Sequence, residues 1–329
     1  MKRTAFFTLF TAAALLGCKP ESEFEGPNLT DYYGDFFIVN TLSLSDDSLD
    51  LAAGESAQIT ATFSKNVNWH LDIEGLSSGA NYRYDGFTNV VDVNWNGRAT
   101  DLPMFHQETC VLQLTIDNQQ DTLRDTLTIL SERPAQGFVV ADFENGLNPG
   151  WLPFVQSGAN MSFLVSSTLP AGQGERYYDM GGQVTWDWLI GMMDFPGSAY
   201  GAPHFPLSTN GSNVYFNTFL YKPENINNGL VLFQFREDDN GDGVYSTNQE
   251  DMFSLQITPT QNGWQHVYRK YDDLLTLVNG SEASPIGNGL HEPDKLLQVS
   301  VLFLANPASG YSQCLLDNVV FTEGGPLQP

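Results

Sequence analysis

Residues 67–73, VNWHLDI, alternate between apolar and polar side chains. Successive side chains of a β-strand point to opposite faces, so Val67, Trp69, Leu71 and Ile73 share one face of a predicted strand. We expect Trp69 to lie in a hydrophobic core. Short segments of this kind recur along the chain between Gly, Asn, Asp and Pro residues, and sustained helical periodicity is almost absent. This pattern predicts an all-β protein.

The chain of 329 residues is long enough for two domains. A polar, proline-bearing segment at 131–137, SERPAQG, predicts the linker between them. We predict an N-terminal domain over residues 35–133 and a C-terminal domain over 137–324. The N-terminal domain, with about seven short strands in roughly a hundred residues, resembles an immunoglobulin-like sandwich and is predicted to act as a spacer.

The N-terminus predicts export and lipidation. Lys2 and Arg3 precede an apolar segment that is too short to span a bilayer, which is typical of a signal peptide over residues 1–17. Residues 15–18, LLGC, resemble the lipobox of bacterial lipoproteins, whose cysteine carries the lipid, here Cys18. The alternative is a plain signal peptide with a chance cysteine. Residues 18–34 are acidic and predict a disordered tether.

Three segments of the C-terminal domain carry a family resemblance. They are 138–146 (FVVADFENG), 263–275 (GWQHVYRKYDDLL) and 315–321 (LLDNVVF). Their order and spacing resemble the galactose-binding-like jelly-roll β-sandwich of many carbohydrate-binding modules. With the lipobox, the layout resembles surface glycan-binding lipoproteins of polysaccharide-utilisation systems. The resemblance implies an outer-membrane protein that faces the cell exterior and binds a glycan, with an outer-membrane transporter complex as a further partner.

Charge limits the partners. The net charge of −25 repels nucleic acid and anionic lipid surfaces and suits neutral ligands and divalent cations. The membrane contact is therefore expected through the lipid anchor. Cys110 and Cys314 lie in apolar segments of different predicted domains, so we expect buried free thiols and no disulfide between them.

Aromatic side chains are the candidate sugar contacts, because an aromatic face covers the apolar C–H patches of a sugar ring. Trp186 and Trp188 are two residues apart and share one face of a predicted strand. Tyr200 and Trp151 are the other candidates. Packing in the sandwich core is the alternative for the tryptophan pair.

Residues 238–243, DDNGDG, resemble the first half of a calcium loop. Asp238, Asn240 and Asp242 occupy its first three ligand positions, but the twelfth position holds Gln249 and no helices are predicted beside it. The segment therefore predicts the end of a β-hairpin, which either binds a structural calcium ion or only makes turns.

A second calcium site follows from the family resemblance. Related modules hold a structural calcium ion between the first and last strands, which implies Glu144 or Asp142 together with Asp317. The alternative is that Asp317 only caps the end of a strand.

No catalytic motif stands out: the sequence has no G-x-S-x-G, H-E-x-x-H or P-loop segment. We predict a non-catalytic protein that binds polysaccharide or oligosaccharide. One alternative is a surface adhesin or accessory subunit of an uptake or secretion complex without a glycan ligand. Another is a cryptic hydrolase or lyase, because two of the 39 acidic residues could meet in a cleft.

Overall fold

The computed structural model describes residues 34–120, 122–183, 189–226, 229–305 and 311–329. Within these ranges the chain forms twenty strands and four short 3-10 turns, with no α-helix. No helix in the described ranges is long and apolar enough to cross a membrane. The predicted signal peptide, Cys18 and the candidates Trp186 and Trp188 lie outside the described residues.

The N-terminal domain contains six strands, which pair in the order β1-β3-β5-β6-β2, with β4 on the other side of β3. The strands are β1 (Ile38–Leu44), β2 (Ser48–Asp50), β3 (Ala57–Gly75), β4 (Asn81–Trp95), β5 (Thr109–Ile116) and β6 (Thr122–Ser131). They surround a core of their own. The domain is an immunoglobulin-like sandwich, as the alternating segments predicted.

The N-terminal strands are fewer and longer than expected, because the segment VNWHLDI continues β3. A register shift between Thr62 and Val67 lets β3 pair with β1 before the shift and with β5 after it. The predicted inward face is confirmed, since Trp69 is 5% exposed and packs in the core. Gly86 lies opposite Trp69, and a Cβ atom there would overlap the indole ring.

The C-terminal domain is a jelly-roll sandwich of two sheets. The seven-stranded sheet has the order β10-β11-β20-β13-β16, with β7 beside β20 and β9 beside β11; the five-stranded sheet has the order β15-β14-β19-β12-β8. Its strands are β7 (Phe138–Ala141), β8 (Leu152–Val155), β9 (Asn160–Met161), β10 (Leu164–Ser166), β11 (Tyr177–Gln183), β12 (Leu189–Pro196), β13 (Val214–Lys222), β14 (Gly229–Glu237), β15 (Met252–Ile257), β16 (Gly263–Lys270), β17 (Leu277–Val278), β18 (Ser281–Glu282), β19 (Leu296–Ala305) and β20 (Tyr311–Glu323). Strands β17 and β18 form a separate small hairpin.

Aromatic residues join the two sheets. Phe216 of β13 packs against Phe233 and Phe235 of β14, each with a ring-centroid distance of 4.9 Å, and against Phe321 of β20. All four rings are buried. These contacts put the core between the sheets and leave each sheet one outer face.

The two outer faces differ in what covers them. On the seven-stranded sheet, Phe219 is buried beneath Leu102 and Met104 of the N-terminal domain and Leu327 of the C-terminal tail. The Met104 N–H also donates to the Gly172 carbonyl across the domains at 2.8 Å. The outer face of the five-stranded sheet is partly exposed among the described residues: Leu230, Leu232 and Gln234 are half-buried, whereas Ser254 and Ser300 on the same face are buried.

Cys110 and Cys314 are buried and free, as expected from their apolar segments. Burial raises the pKa of the Cys314 thiol to about 12, so the thiol stays protonated at neutral pH. The domain boundaries drawn from the sequence stay predictions.

Candidate ligand groove and cation sites

The outer face of the five-stranded sheet forms a groove with a cavity volume of about 630 Å³, which we call the outer groove. Its floor consists of side chains that point away from the core. The lining residues are leucines, three amides and one glycine: Leu189, Leu230, Leu232, Leu277, Leu304, Gln234, Gln256, Asn279 and Gly280.

Strand register arranges the floor into rows. Leu230 pairs with Leu304, and in the next row Leu232 lies between Gln256 and Leu302. Side chains that are paired across antiparallel strands lie side by side on the same face. One end of the groove is therefore an aliphatic surface with an amide at its edge.

The following row is polar. Gln234 lies between Ser254 and Ser300, and Ser300 pairs in turn with Asp194. Within the described part of the chain, no hydrogen-bond partner is found for Asp194 Oδ1, Ser254 Oγ or Arg236 Nε, all of which are buried atoms. None of these three residues lines the outer groove, so Gln234 is the polar group of this row that a ligand in the groove would meet.

A tight hairpin forms one wall of the groove. Strands β17 and β18 are joined by Asn279 and Gly280, whose φ angles are 51° and 75°. Two successive positive φ values are typical of the Asn-Gly turn of a two-residue hairpin. The turn brings the Asn279 side chain and Gln256 to the same groove, so the wall adds a hydrogen-bonding group to the aliphatic end.

Sequence reasoning missed the groove residues. The signal was present in residues 229–237, GLVLFQFRE, where Val231, Phe233 and Phe235 are buried and the intervening residues are not. Alternation identifies two faces, but apolar residues on both of them conceal which face is exposed.

Trp151 is a correction to the predicted ligand residues. Its side chain is 7% exposed and packs edge-on against Phe143 and Phe195. Its indole N–H donates to the Tyr200 hydroxyl at 3.0 Å, and that hydroxyl donates to the Val140 carbonyl. The indole therefore contributes mainly to the core of the sandwich. The half-buried Tyr200 has its hydroxyl engaged, so it supports the fold around Trp151.

The predicted calcium loop joins β14 to β15, which confirms a hairpin and not a helical calcium sensor. Asp238 is fully buried and accepts hydrogen bonds from three loop amides, those of Gly241, Asp242 and Gly243. His204 Nε2 lies 2.8 Å from its other side. Burial raises the pKa of Asp238, but the hydrogen bonds from His204 and the loop outweigh that effect and lower the pKa.

The structure adds Glu250 to this loop. Oxygens of Asp238, Asp242 and Glu250 lie within 4.8 Å of one another, a spacing that could hold a cation. Glu250 is 1% exposed and stands one residue after the position where the loop pattern requires a glutamate. Asn240 contributes differently: its Oδ1 accepts from the Asp242 amide at 2.8 Å, so this carbonyl shapes the loop.

Glu144, just after β7, and Asp317, on β20, both accept hydrogen bonds from the loop at residues 173–176. Asp317 is fully buried and accepts from the Gln173 amide at 2.8 Å, while Glu144 accepts from the amides of Glu175 and Arg176 at 2.9 Å. Burial, together with the charges of Glu144 and Asp142, raises the pKa of Asp317 well above its usual value. The two carboxylates are electrostatically coupled.

Among the described residues, two groups of three carboxylates have oxygens within 4.8 Å of one another. One is the loop group, and the other is Glu237, Asp239 and Glu292. Glu144 with Asp317 is not among them, so its calcium role stays a prediction. Burial raises the pKa of Glu237 to about 8.

Comparisons with known proteins show distant likeness in structure only. No family model matches this chain, and no curated protein matches it. A structure described as carbohydrate-binding modules from the β-sandwich superfamily is 11% identical, with a TM-score of 0.40, over 88% of this chain and 99% of that one. The family 11 carbohydrate-binding module of Clostridium thermocellum, in complex with a β-1,3-1,4-mixed-linked tetrasaccharide, is 14% identical with a TM-score of 0.40, over 60% of this chain and 100% of that one.

A third similar structure is SGBP-B from a complex xyloglucan utilization locus in Bacteroides uniformis. It is 11% identical with a TM-score of 0.32, and the match covers 86% of this chain and 72% of that one. Likeness at this level does not identify a ligand.

Proposed function

We propose that this protein is a lipid-anchored cell-surface protein that binds a polysaccharide or oligosaccharide in the outer groove without cleaving it. The outer groove is the observation that carries the proposal. It combines an aliphatic surface of leucines with three amide side chains. A sugar offers both C–H patches and hydroxyls, which match these two kinds of surface.

Charge and size support a neutral extended ligand. The net charge of −25 disfavours polyanions, whereas a neutral glycan is not repelled. Strands lie about 4.8 Å apart, so five strands give a floor roughly 20 Å across, enough for several sugar rings. Trp188 immediately precedes Leu189, a lining residue, which makes the tryptophan pair the candidate stacking platform.

The same face argues against hydrolysis. Glycosidases use a pair of carboxylates on either side of the bond that breaks. Among the described strand residues that face outwards, Asp194 is the one carboxylate of the floor. Release of reducing ends by the purified protein would favour the hydrolase alternative.

The anchoring proposal rests on the N-terminal sequence. Lipid on Cys18 would hold the protein at the outer membrane, with the acidic segment as a tether and the N-terminal domain as a spacer. A surface protein placed in this way would deliver glycan to an outer-membrane transporter. Calcium is proposed as a structural ion at Asp238, Asp242 and Glu250, with Asn240 shaping the loop, and between Glu144 and Asp317.

Affinity electrophoresis of the mature chain against a panel of neutral polysaccharides tests the groove. Gln234→Ala and Gln256→Ala each remove a floor amide, and we expect each to weaken binding about tenfold, the loss of roughly one hydrogen bond. Gln265→Ala is the matched control, because Gln265 lies on β16 of the opposite sheet.

The result that overturns the proposal is an absence of binding to every polysaccharide, which would favour an adhesin. Binding that is unchanged in both groove variants would move the site away from this sheet.

A further inference from the structure

Three successive carboxylates at the end of β14, Glu237, Asp238 and Asp239, point to two different sides of the chain. Asp238 faces the hairpin loop and His204, as described above. Glu237 and Asp239, its neighbours in sequence, make their contacts with Tyr271, Asn288 and the loop before β19. Strand alternation explains the split, because residues two apart share a side. The second carboxylate group is thus distinct from the group of Asp238, Asp242 and Glu250, although Asp239 belongs to the same loop.

Glu237 is a buried carboxylate that is satisfied on one oxygen only. Its Oε1 accepts from the Tyr271 hydroxyl at 2.7 Å and from the Glu292 amide at 2.9 Å. Its Oε2 is buried and has no hydrogen-bond partner among the described residues. The side chain is 0% exposed, so solvent does not reach this oxygen.

Asp239, like Glu237, has hydrogen-bond partners on one oxygen only. Its Oδ2 accepts from the amides of Asp251 and Asn288 at 3.0 and 3.2 Å. Its Oδ1 is buried, and the described part of the protein offers it no partner. A Cβ atom at Gly287 would overlap Asp239 Oδ2, so a glycine is needed for the loop to close on this carboxylate.

Glu292 completes the group and carries a counter-charge. Its Oε1 lies 2.8 Å from the Lys295 ammonium, and its Oε2 accepts from the Asn288 side chain at 2.6 Å. Three carboxylates and one ammonium leave two negative charges, which one divalent cation would neutralise. Without a cation, Glu237 and Asp239 could not both be ionised at low cost, because each would hold a buried oxygen that has no hydrogen-bond partner among the described residues.

We propose that Glu237, Asp239 and Glu292 bind a divalent cation of the calcium class, at a site distinct from that of Asp238, Asp242 and Glu250. The donors are carboxylate oxygens only, which suit calcium or magnesium and not zinc or copper. The ion would join the end of β14 to residues 286–292, and the Asp251 carboxylate already holds that loop through the amides of Ile286, Gly287 and Gly289. The hairpin would then carry two ions, one on each side of residues 237–239. This inference does not depend on glycan binding.

The test counts bound calcium. The mature chain is stripped with chelator, and calcium is measured by equilibrium dialysis with the calcium ion alone as the probe. Glu237→Gln replaces Oε2 with an amide and leaves an oxygen for Tyr271, so we expect the loss of one equivalent relative to the unmodified protein. Asp242→Asn should lose a different equivalent, and the double variant should lose both. Glu282→Gln, on the exposed strand β18, is the control.

Asp239→Asn keeps the proposal falsifiable if Glu237→Gln does not fold, because it retains an acceptor for the Asp251 amide and changes only the unpaired oxygen. Circular dichroism confirms which variants are folded. Unchanged calcium stoichiometry and affinity in either folded variant would overturn the second site. So would the loss of the same single equivalent in Glu237→Gln and Asp242→Asn, with no further loss in the double variant.

Discussion

At the scale of single residues, neighbours decide what an aromatic side chain can do. Trp151 lies next to Pro149 and Gly150 in a loop, a position where exposure was expected. Phe143 and Phe195 enclose it instead, and Tyr200 accepts its one hydrogen bond. A loop position therefore predicts little about exposure when a sheet edge folds over it.

Trp186 and Trp188 remain the predicted stacking platform. Each change to alanine should weaken polysaccharide binding about ten- to hundredfold, because a stacked ring contributes roughly 1–3 kcal/mol. The melting midpoint should barely move. Affinity electrophoresis and thermal melting of the same samples measure both quantities.

Trp151→Ala is the reference for a core tryptophan and should cost about 3–5 kcal/mol of unfolding free energy. A comparable loss of stability in Trp186→Ala or Trp188→Ala would place those residues in the core, and the platform interpretation would be wrong.

His266 makes the stability of the C-terminal domain depend on pH. Burial lowers the pKa of His266 from 6.5 to about 4, and its Nε2 lies 3.1 Å from Asn217 Oδ1. In the unfolded chain the imidazole titrates at its ordinary pKa, so between pH 6.5 and 4 the unfolded state binds more protons. The penalty is absent above pH 6.5 and grows as the pH falls towards 4.

At pH 5 the His266 penalty should be roughly 2 kcal/mol, from about 1.4 kcal/mol for each pKa unit. Urea unfolding at pH 7 and pH 5 measures it, and His266→Gln should lose less stability than the unmodified chain over the same interval. An equal loss in both proteins would show that His266 is protonated without cost in the folded state.

At the scale of elements, the β14–β15 hairpin determines which carboxylates lie close enough together to bind a cation. Its strands pair in register from Val231 with Ile257 to Arg236 with Met252. This pairing fixes both ends of the loop, so the carboxylates near its two ends, Asp238 and Glu250, converge. The extra residue before Glu250 is accommodated by a loop that no helix constrains.

Calcium should raise the melting midpoint of the protein. An ion that binds only the folded state adds about 2.7 kcal/mol at a hundredfold excess over its Kd. Asp242→Asn and Asp317→Asn should each reduce the shift between calcium and chelator, because each removes a carboxylate from one predicted site. Differential scanning calorimetry is the measurement.

Asp273→Asn, at an exposed position, controls for the loss of one negative charge. If the midpoint is the same in calcium and in chelator, the loop residues serve only as turns.

At the scale of the whole molecule, the N-terminal domain and the C-terminal tail cover part of one outer face of the jelly-roll, and none of their described residues lines the outer groove on the other face. Leu102, Met104 and Leu327 cover Phe219 on the seven-stranded sheet. A tether and spacer on that side would keep the outer groove free for a large ligand. This arrangement is a physical reason for a spacer domain at that position.

Lipid on Cys18 is the prediction that belongs to the whole molecule. Acyl chains contribute about 0.8 kcal/mol for each buried methylene, which makes two or three chains a firm anchor. Cys18→Ala should release a soluble or unprocessed form. Membrane fractionation of cells that are grown with labelled fatty acid measures this release. Cys110→Ala is the matched control, since that thiol is buried. Unchanged labelling in Cys18→Ala would contradict lipidation.

The sequence by itself determined the elements. Alternation with a period of two is a local property, so VNWHLDI, GLVLFQFRE and the DDNGDG hairpin loop could be identified without knowledge of their neighbours. The strands around the loop, the inward face of Trp69 and the all-β class followed from it and are confirmed.

Only the tertiary structure decided which faces are open and which carboxylates meet. The sheet order puts β14 between β15 and β19, although about sixty residues separate β14 from β19 in sequence, and this pairing creates the floor of the outer groove. Glu292 reaches Glu237 and Asp239 for the same reason. Such contacts depend on strand pairing over long separations, which a local pattern does not encode. The unpaired oxygens of Glu237 and Asp239 arise only when the loop closes over them.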